Sequence, residues 1–164
     1  GMPSHFEAAR GAYIVRDFDP GLPRGGTLFV QGTSAMRGIV AILKKLEEEE
    51  LNVKIVCTTS PELFALQDEA YRNSVVTPAD RADSTVVTTQ ARRLMHDWIL
   101  NGVAEEYALS ADHDDRWRSG GTLEEVIDEA RLSPQWILEG IRRFVADRPR
   151  RLRTLREELA AADR

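Results

Sequence analysis

The segment from Cys57 to Ser60 places a thiol directly before three hydroxyl groups, where an apolar run meets a helical pattern. Such groups can act as nucleophiles, but only when a general base lies within hydrogen-bonding reach and a third group orients that base. The chain contains three histidines, and the sequence places none of them beside Cys57. We therefore favour a structural role, in which Cys57 packs in a strand and Ser60 begins the next helix.

A second candidate is an anion site formed by Gly32, Thr33 and Ser34, which follow the apolar segment 27–31 and begin an amphipathic pattern. The free amides in the first turn of a helix can bind a phosphate or a carboxylate. The segment has neither the spaced glycines of a dinucleotide-binding loop nor the Gly-Lys-Ser/Thr of a P-loop. A turn capped by Ser34 is the simpler interpretation, and the anion site remains the alternative.

Two charged segments could suggest a metal or a nucleic acid. Residues 112–115 contain three aspartates and a histidine, but adjacent residues rarely converge on one ion, so we predict a solvated loop. Seven arginines between 142 and 156 could contact phosphates. However, Leu152, Leu155 and Leu159 recur at helical spacing, and the net charge is −5. These features favour a helix docked on its own domain or on a partner over nucleic-acid binding.

Apolar strand patterns alternate with amphipathic helical patterns along the chain. This alternation predicts an α/β fold, a three-layer sandwich with a mostly parallel five-stranded sheet. We also predict that residues 73–83 form a loop and that Glu47 to Glu50 form a frayed helix end. The predicted strands are 11–16, 27–31, 53–57, 84–89 and 105–110, and helices are expected over 34–50, from 60, over 92–103, over 122–131 and from 133.

The composition limits the possible classes of protein. With 164 residues, 42% apolar and 30% charged, the chain is expected to form one globular domain. A single cysteine excludes an internal disulfide and suits a reducing cytoplasm, and no apolar run has the length of a membrane span. We predict a disordered or loosely ordered N-terminus over 1–10, one domain over 11–147 and an arginine-rich helical tail over 148–164.

Several segments occur in an order that belongs to a known family. A Gly-Ala-Tyr strand begins at Gly11, and a later strand ends in a Gly-Thr-Ser turn before a helix that ends Leu-Glu-Glu-Glu. A Ser-x-Glu-Leu-Phe segment then precedes Gln-Asp-Glu-x-Tyr-Arg. Over residues 11–75 this order resembles the C-terminal domain of transketolases. Residues 84–99 and 107–121 are more similar to the matching domain of homodimeric pyruvate dehydrogenase, and 123–145 resembles both.

The sequence also departs from this family pattern. Ala35 and Met36 follow the Gly-Thr-Ser turn, where transketolases usually carry a glutamate. Residues 90–93 replace a segment that contains glycine and tryptophan, and residues 115–119 only partly match the Asp-Arg-Phe-Gly-x-Ser of the family. The resemblance therefore leaves two substrate classes open, sugar phosphates and 2-oxo acids such as pyruvate.

The resemblance implies that chemistry takes place elsewhere in a larger enzyme. Enzymes of this family hold thiamine diphosphate through magnesium with a Gly-Asp-Gly motif on one domain, and a glutamate on a second domain activates the cofactor. This sequence has no Gly-Asp-Gly. We therefore expect no catalytic, cofactor-binding or metal-binding residues in this chain. The implied partners are the thiamine-binding catalytic domains of the same enzyme, in a homo-oligomer, without nucleic acid or membrane.

The implied role is to dock on those domains and to help pack the subunits. The chain would then be separately encoded or part of a longer polypeptide. A C-terminal domain of a pyruvate dehydrogenase-type component is one alternative. A free-standing module that binds a small anion at Gly32, Thr33 and Ser34 is the other.

Overall fold

A mixed β-sheet runs through the part of the chain that the structure, a computed structural model, describes: residues 4–116, 118 and 120–162. Its strands are β1 (Ala12–Arg16), β2 (Gly26–Gln31), β3 (Val53–Thr58), β4 (Ser84–Thr88) and β5 (Leu109–Ser110). They lie in the order β1-β3-β2-β4-β5, with β1 antiparallel to β3 and the other neighbours parallel. This confirms the predicted α/β class and the mostly parallel five-stranded sheet.

Helices pack on both faces of this sheet, which gives the predicted three layers. Within the described ranges, no helix combines the length and the apolar character needed to cross a bilayer. Short 3-10 helices occupy His5–Arg10 and Arg92–Met95. The α-helices are α1 (Thr33–Glu48), α2 (Pro61–Ala65), α3 (Glu69–Val75), α4 (Pro78–Ala82), α5 (Gly102–Glu106), α6 (Leu123–Glu129), α7 (Pro134–Ala146) and α8 (Arg148–Ala162).

The two faces of the sheet carry separate apolar clusters because alternate residues of each strand point to opposite sides. On one face, side chains such as Leu28 and Val30 pack against α1 and α7. On the other, Phe29 and Val56 pack against a layer that includes Trp98. Strand β2 is buried on both faces, as the continuous apolar run in its sequence predicts.

The prediction of one continuous helix over residues 92–103 is wrong. A 3-10 turn covers its start, and α5 begins only at Gly102. The side-chain oxygen of Asn101 accepts a hydrogen bond of 2.7 Å from the amide of Ala104, which makes Asn101 the N-cap of α5. Because an N-cap residue has a non-helical backbone, Asn101 interrupts the amphipathic segment before α5.

The prediction that residues 73–83 form a loop is also wrong. This segment contains the end of α3 and the whole of α4. Thr77 and Asp80 form a reciprocal capping box at the start of α4, and Pro78 occupies its first turn. Capping therefore defines a five-residue helix that is too short to show a periodic apolar pattern.

The end of α1 is more ordered than the sequence suggests. Helix α1 ends at Glu48, and the carboxylate of Glu49 accepts two hydrogen bonds, of 2.7 and 2.6 Å, from Arg142. A bidentate pair of this kind orders the segment predicted to fray. Glu50, with φ of 52°, makes the turn after α1, and the buried side-chain amide of Asn52 donates to the loop before β2.

The chain ends also form helical structure. Residues 5–10 adopt a 3-10 helix where the sequence predicts a disordered or loosely ordered segment, and residues 1–3 lie outside the described ranges. The arginine-rich tail is helical as α8 over 148–162, and residues 163–164 lie outside the described ranges. The domain boundaries at 11 and 147 stay predictions.

Helix α8 is fixed to the amino edge of the sheet by Arg151, whose relative exposure is 1%. Its guanidinium pairs with the carboxylate of Asp83 and donates to the carbonyl oxygens of Gly25 at 2.9 Å and Phe144 at 3.1 Å. It also lies 3.5 Å from the centre of the Phe144 ring. Arg148 donates to the second oxygen of Asp83 at 2.7 Å. This carboxylate therefore holds the first turn of α8.

We predict that Asp83→Ala destabilises the domain by about 3–5 kcal/mol, because it leaves the buried Arg151 without its carboxylate. Arg153→Ala is the matched control, since Arg153 is exposed on the same helix. The control should change stability by less than about 0.5 kcal/mol. Urea unfolding of both variants measures the difference, and equal losses would contradict the anchoring role of Asp83.

Candidate functional site at the carboxyl edge of the sheet

An open groove of about 730 Å³ lies where β2 and β3 end and α1 begins. In open α/β sheets, ligands commonly bind in a crevice beyond the carboxyl ends of the strands. The groove is therefore the candidate functional site. Its lining residues are Gln31, Gly32, Thr33, Met36, Arg37, Val40, Cys57, Thr58, Thr59 and Gln90.

Gly32 determines how the chain enters this groove. Its φ of 95° lies in the left-handed region, and a Cβ atom at this position would collide with the Thr89 hydroxyl group. Glycine is therefore required both by conformation and by space. Gly32 is also the N-cap of α1, and no side chain accepts a hydrogen bond there. The prediction that Ser34 is the N-cap is wrong.

The three predicted anion-binding residues are consecutive at this helix start. Gly32 and Thr33 line the groove, and Ser34 is half-buried in the first turn of α1. The uncapped first turn retains amides that can donate to an anion. The geometry thus brings the three residues together, and their binding of an anion stays a prediction.

Cys57 lines the same groove and is paired with Tyr13 on the neighbouring strand β1. Burial raises the pKa of the Cys57 thiol, and the hydrogen bond from Tyr13 offsets only part of this effect. Burial, together with the thiol, raises the pKa of Tyr13 to about 12. Both groups are therefore protonated near neutral pH, which is the opposite of an activated nucleophile.

The described histidines contact other groups. His96 lies near Arg93 and Asp97, and His113 lies near Asp114 and Arg118. His5 stacks on Phe6. The contacts of these histidines therefore give Cys57 no general base.

We predict that the rate of Cys57 alkylation rises only at a pH above the range in which an ordinary thiol ionises, because burial disfavours the thiolate. Tyr13→Phe should move this profile to still higher pH, because the hydrogen bond from Tyr13 stabilises the thiolate. Iodoacetamide kinetics over a pH series measure both effects, with the urea-unfolded chain as reference. A folded chain that reacts faster than the unfolded one near neutral pH would contradict the assignment.

The three hydroxyl groups after Cys57 stabilise local structure. Thr58 donates to the carbonyl oxygen of Val30 at 3.2 Å, and Thr59 donates to that of Ala8 at 2.7 Å. The Ser60 hydroxyl oxygen accepts from the amide of Leu63 at 3.1 Å, which confirms Ser60 as the N-cap of α2. The row of nucleophile-like residues is therefore a strand end and a capped helix start.

The aspartates of the 112–115 segment bind arginines of their own loop and of the nearby 3-10 helix. Asp114 accepts from Arg116 at 2.8 Å and from Arg118 at 2.6 Å, and these bonds hold the pKa of its carboxyl well below the usual range. Asp112 accepts from the backbone amide of Arg92 at 3.0 Å. In the ranges that the structure covers, no three His, Cys, Asp or Glu side chains group as a metal site would require.

Most arginines of the tail region are paired within the chain. Five of the seven have carboxylate partners within 4.0 Å, so their charge is largely neutralised locally: Arg142 with Glu49 and Glu139, Arg143 and Arg150 with Glu106 and Asp147, and Arg148 and Arg151 with Asp83. These pairs and the packing of Leu155 against the core indicate a helix docked on its own domain, whereas Leu159 of the predicted leucine row is 70% exposed.

A further buried ion pair, besides that of Arg151 and Asp83, was not predicted from the sequence. Lys54 Nζ lies 2.9 Å from a carboxylate oxygen of Asp80, and both side chains are almost fully buried. Burial alone would raise the pKa of Asp80, but hydrogen bonds from Thr77 and Lys54 lower it below its ordinary value. A lysine in the middle of an apolar strand is the sequence signal that could have indicated this pair.

Comparison with known proteins identifies the family. The model of the transketolase-like C-terminal domain matches residues 11–113. The chain belongs to this family. The comparison with curated proteins found no match.

Solved transketolases share the fold of this family member. The Leishmania mexicana enzyme is 22% identical, with a TM-score of 0.62 over 91% of this chain and 20% of its own. A Pichia stipitis transketolase in complex with sedoheptulose 7-phosphate is 18% identical, with a TM-score of 0.60 over 88% of this chain and 19% of its own. The Campylobacter jejuni enzyme is 15% identical, with a TM-score of 0.58 over 85% of this chain and 19% of its own. The chain thus spans about a fifth of these transketolases.

Proposed function

We propose that this chain is the C-terminal section of a thiamine diphosphate-dependent, transketolase-like enzyme, in which it docks on the catalytic domains and helps to close the dimer. The observation that carries this proposal is the family match, together with a superposition over 91% of this chain and only 20% of a transketolase. The complete enzyme would transfer a two-carbon ketol unit between sugar phosphates in a reducing cytoplasm.

The chemistry of the groove supports a docking role. Its thiol is protonated near neutral pH, and two of its hydroxyl groups donate to backbone carbonyls. Ser60, which follows the groove residue Thr59, caps helix α2. These side chains hold strand ends and helix starts in place, so the surface offers shape and apolar contact to a partner.

The substrate class is part of the proposal. The Pichia stipitis transketolase mentioned above was solved with sedoheptulose 7-phosphate, so that protein binds a sugar phosphate. We extend ketol transfer to the assembly that contains this chain. Decarboxylation of a 2-oxo acid by a pyruvate dehydrogenase-type component is the alternative reaction for such an assembly.

We expect thiamine diphosphate and magnesium to bind to the catalytic domains and not to this chain, which has no Gly-Asp-Gly. Titration calorimetry of the isolated chain with thiamine diphosphate and Mg²⁺ should show no saturable heat. The polypeptide of the same organism that carries Gly-Asp-Gly and the activating glutamate should bind both the cofactor and this chain.

Ketol transfer between sugar phosphates should then appear only when the two components are combined. Saturable micromolar binding of the cofactor by the isolated chain would overturn the proposal. Stable separation of the two components by size-exclusion chromatography would overturn it equally.

A second candidate function rests on the uncapped first turn of α1 beside the groove. In this alternative, Gly32, Thr33 and Ser34 bind a small anion and the chain regulates a partner. The backbone amides would carry the contact, and the Ser34 hydroxyl would supplement them.

For this alternative we predict that inorganic phosphate raises the melting temperature, because a ligand that binds only the folded state stabilises it. Ser34→Ala should reduce the shift. Sodium chloride at equal ionic strength is the control for screening of surface charge. Identical melting temperatures in phosphate and chloride would eliminate the anion module.

A further inference from the structure

The sheet is covered unevenly on the face that carries α1. Near its middle, Leu28, Val30 and Val87 are fully buried beneath α1 and α7. Towards the β1 edge, Tyr13 and Cys57 on the same face remain only half-buried. The cover on this side of α1 is therefore incomplete, and the groove described above lies in the gap.

The wall of this gap that α1 provides is apolar. Val40 is 43% exposed, and Met36, one helical turn earlier, is half-buried beside it. The Oε1 atom of Gln31 already accepts from the Thr88 hydroxyl at 3.2 Å. Arg37 is the charged residue of the lining, and its side chain is 60% exposed. A surface with this composition fits apolar side chains of a protein partner better than a charged ligand.

Other parts of the sheet are already covered within the chain. The opposite face is filled by Phe64, Met95 and Trp98. The amino edge is covered by the first turns of α8 through Arg151. The groove between α1 and β1 is therefore a part of the sheet that the described residues leave open to a further layer.

We propose that this groove is the face on which the catalytic domains of the enzyme dock, with apolar side chains of those domains packed against Met36, Val40 and Cys57. This inference rests on the proposed function. The occupant follows from chain length, because the superposed transketolases carry about four fifths of their chain outside the matched part. That additional polypeptide must pack on some surface of this domain.

Cys57 allows a direct test because it is the single cysteine of the sequence and it lines the groove. The rate of maleimide labelling of Cys57 would be measured by mass spectrometry at alkaline pH, in the isolated chain and in the assembly with the catalytic polypeptide. We expect labelling to slow at least about tenfold on assembly, because the partner would exclude the reagent from the thiol.

A pair of variants tests the energetic contribution of the groove. Val40→Asp should weaken assembly at least about tenfold, because it places a charge in an apolar contact. Leu159→Asp is the matched control, since Leu159 is an apolar helical residue, 70% exposed, on α8. The control should bind like the native chain. Melting curves of both variants would confirm that they are folded.

The outcomes separate this inference from the proposed function. If the components assemble but Cys57 keeps its labelling rate and Val40→Asp binds normally, the groove is not the docking face and the proposed function stands. If a second copy of this chain alone protects Cys57, the groove is a self-association surface and the inference is wrong. If the components do not assemble, the proposed function fails, and with it the inference.

Discussion

The carboxylate of Asp83 joins helix α8 to the amino edge of the sheet. It lies directly before β4 and binds two arginines of α8, one of which is almost fully buried. That buried guanidinium also reaches the backbone before β2 and the end of α7. One carboxylate thus connects segments that are far apart in the sequence. Because a buried charge is stable only when it is paired, the position of α8 depends on this contact.

The α/β layering could be predicted from the sequence because strands buried on both faces give continuous apolar runs. The starts of α2 and α6 could also be predicted, since Ser60 and Thr122 each lie three residues before the amide that they cap. Helix α4 carries a comparable capping signal in Thr77, Pro78 and Asp80, but the segment was predicted as a loop because five residues give no periodic apolar pattern. Short elements depend on local hydrogen bonds that periodicity does not reveal.

The candidate site was predictable only in part. The Gly-Thr-Ser turn was recognisable as a helix start at the carboxyl edge of the sheet, but its cap was assigned to Ser34 and not to Gly32. The open groove beside it could not be predicted, because it results from how far α1 extends over β3. The order of strands determines that coverage, and the order is a property of the folded chain.

The two helices on the grooved face are joined at close range. Gly38 of α1 lies so near Ile137 of α7 that an added Cβ atom would come within 2.6 Å of its Cδ1 atom. The bidentate pair of Glu49 and Arg142 joins the same helices at the end of α1. A tilt of α1 would therefore carry α7 along with it. A force that displaces α1 would therefore be distributed over both α1 and α7.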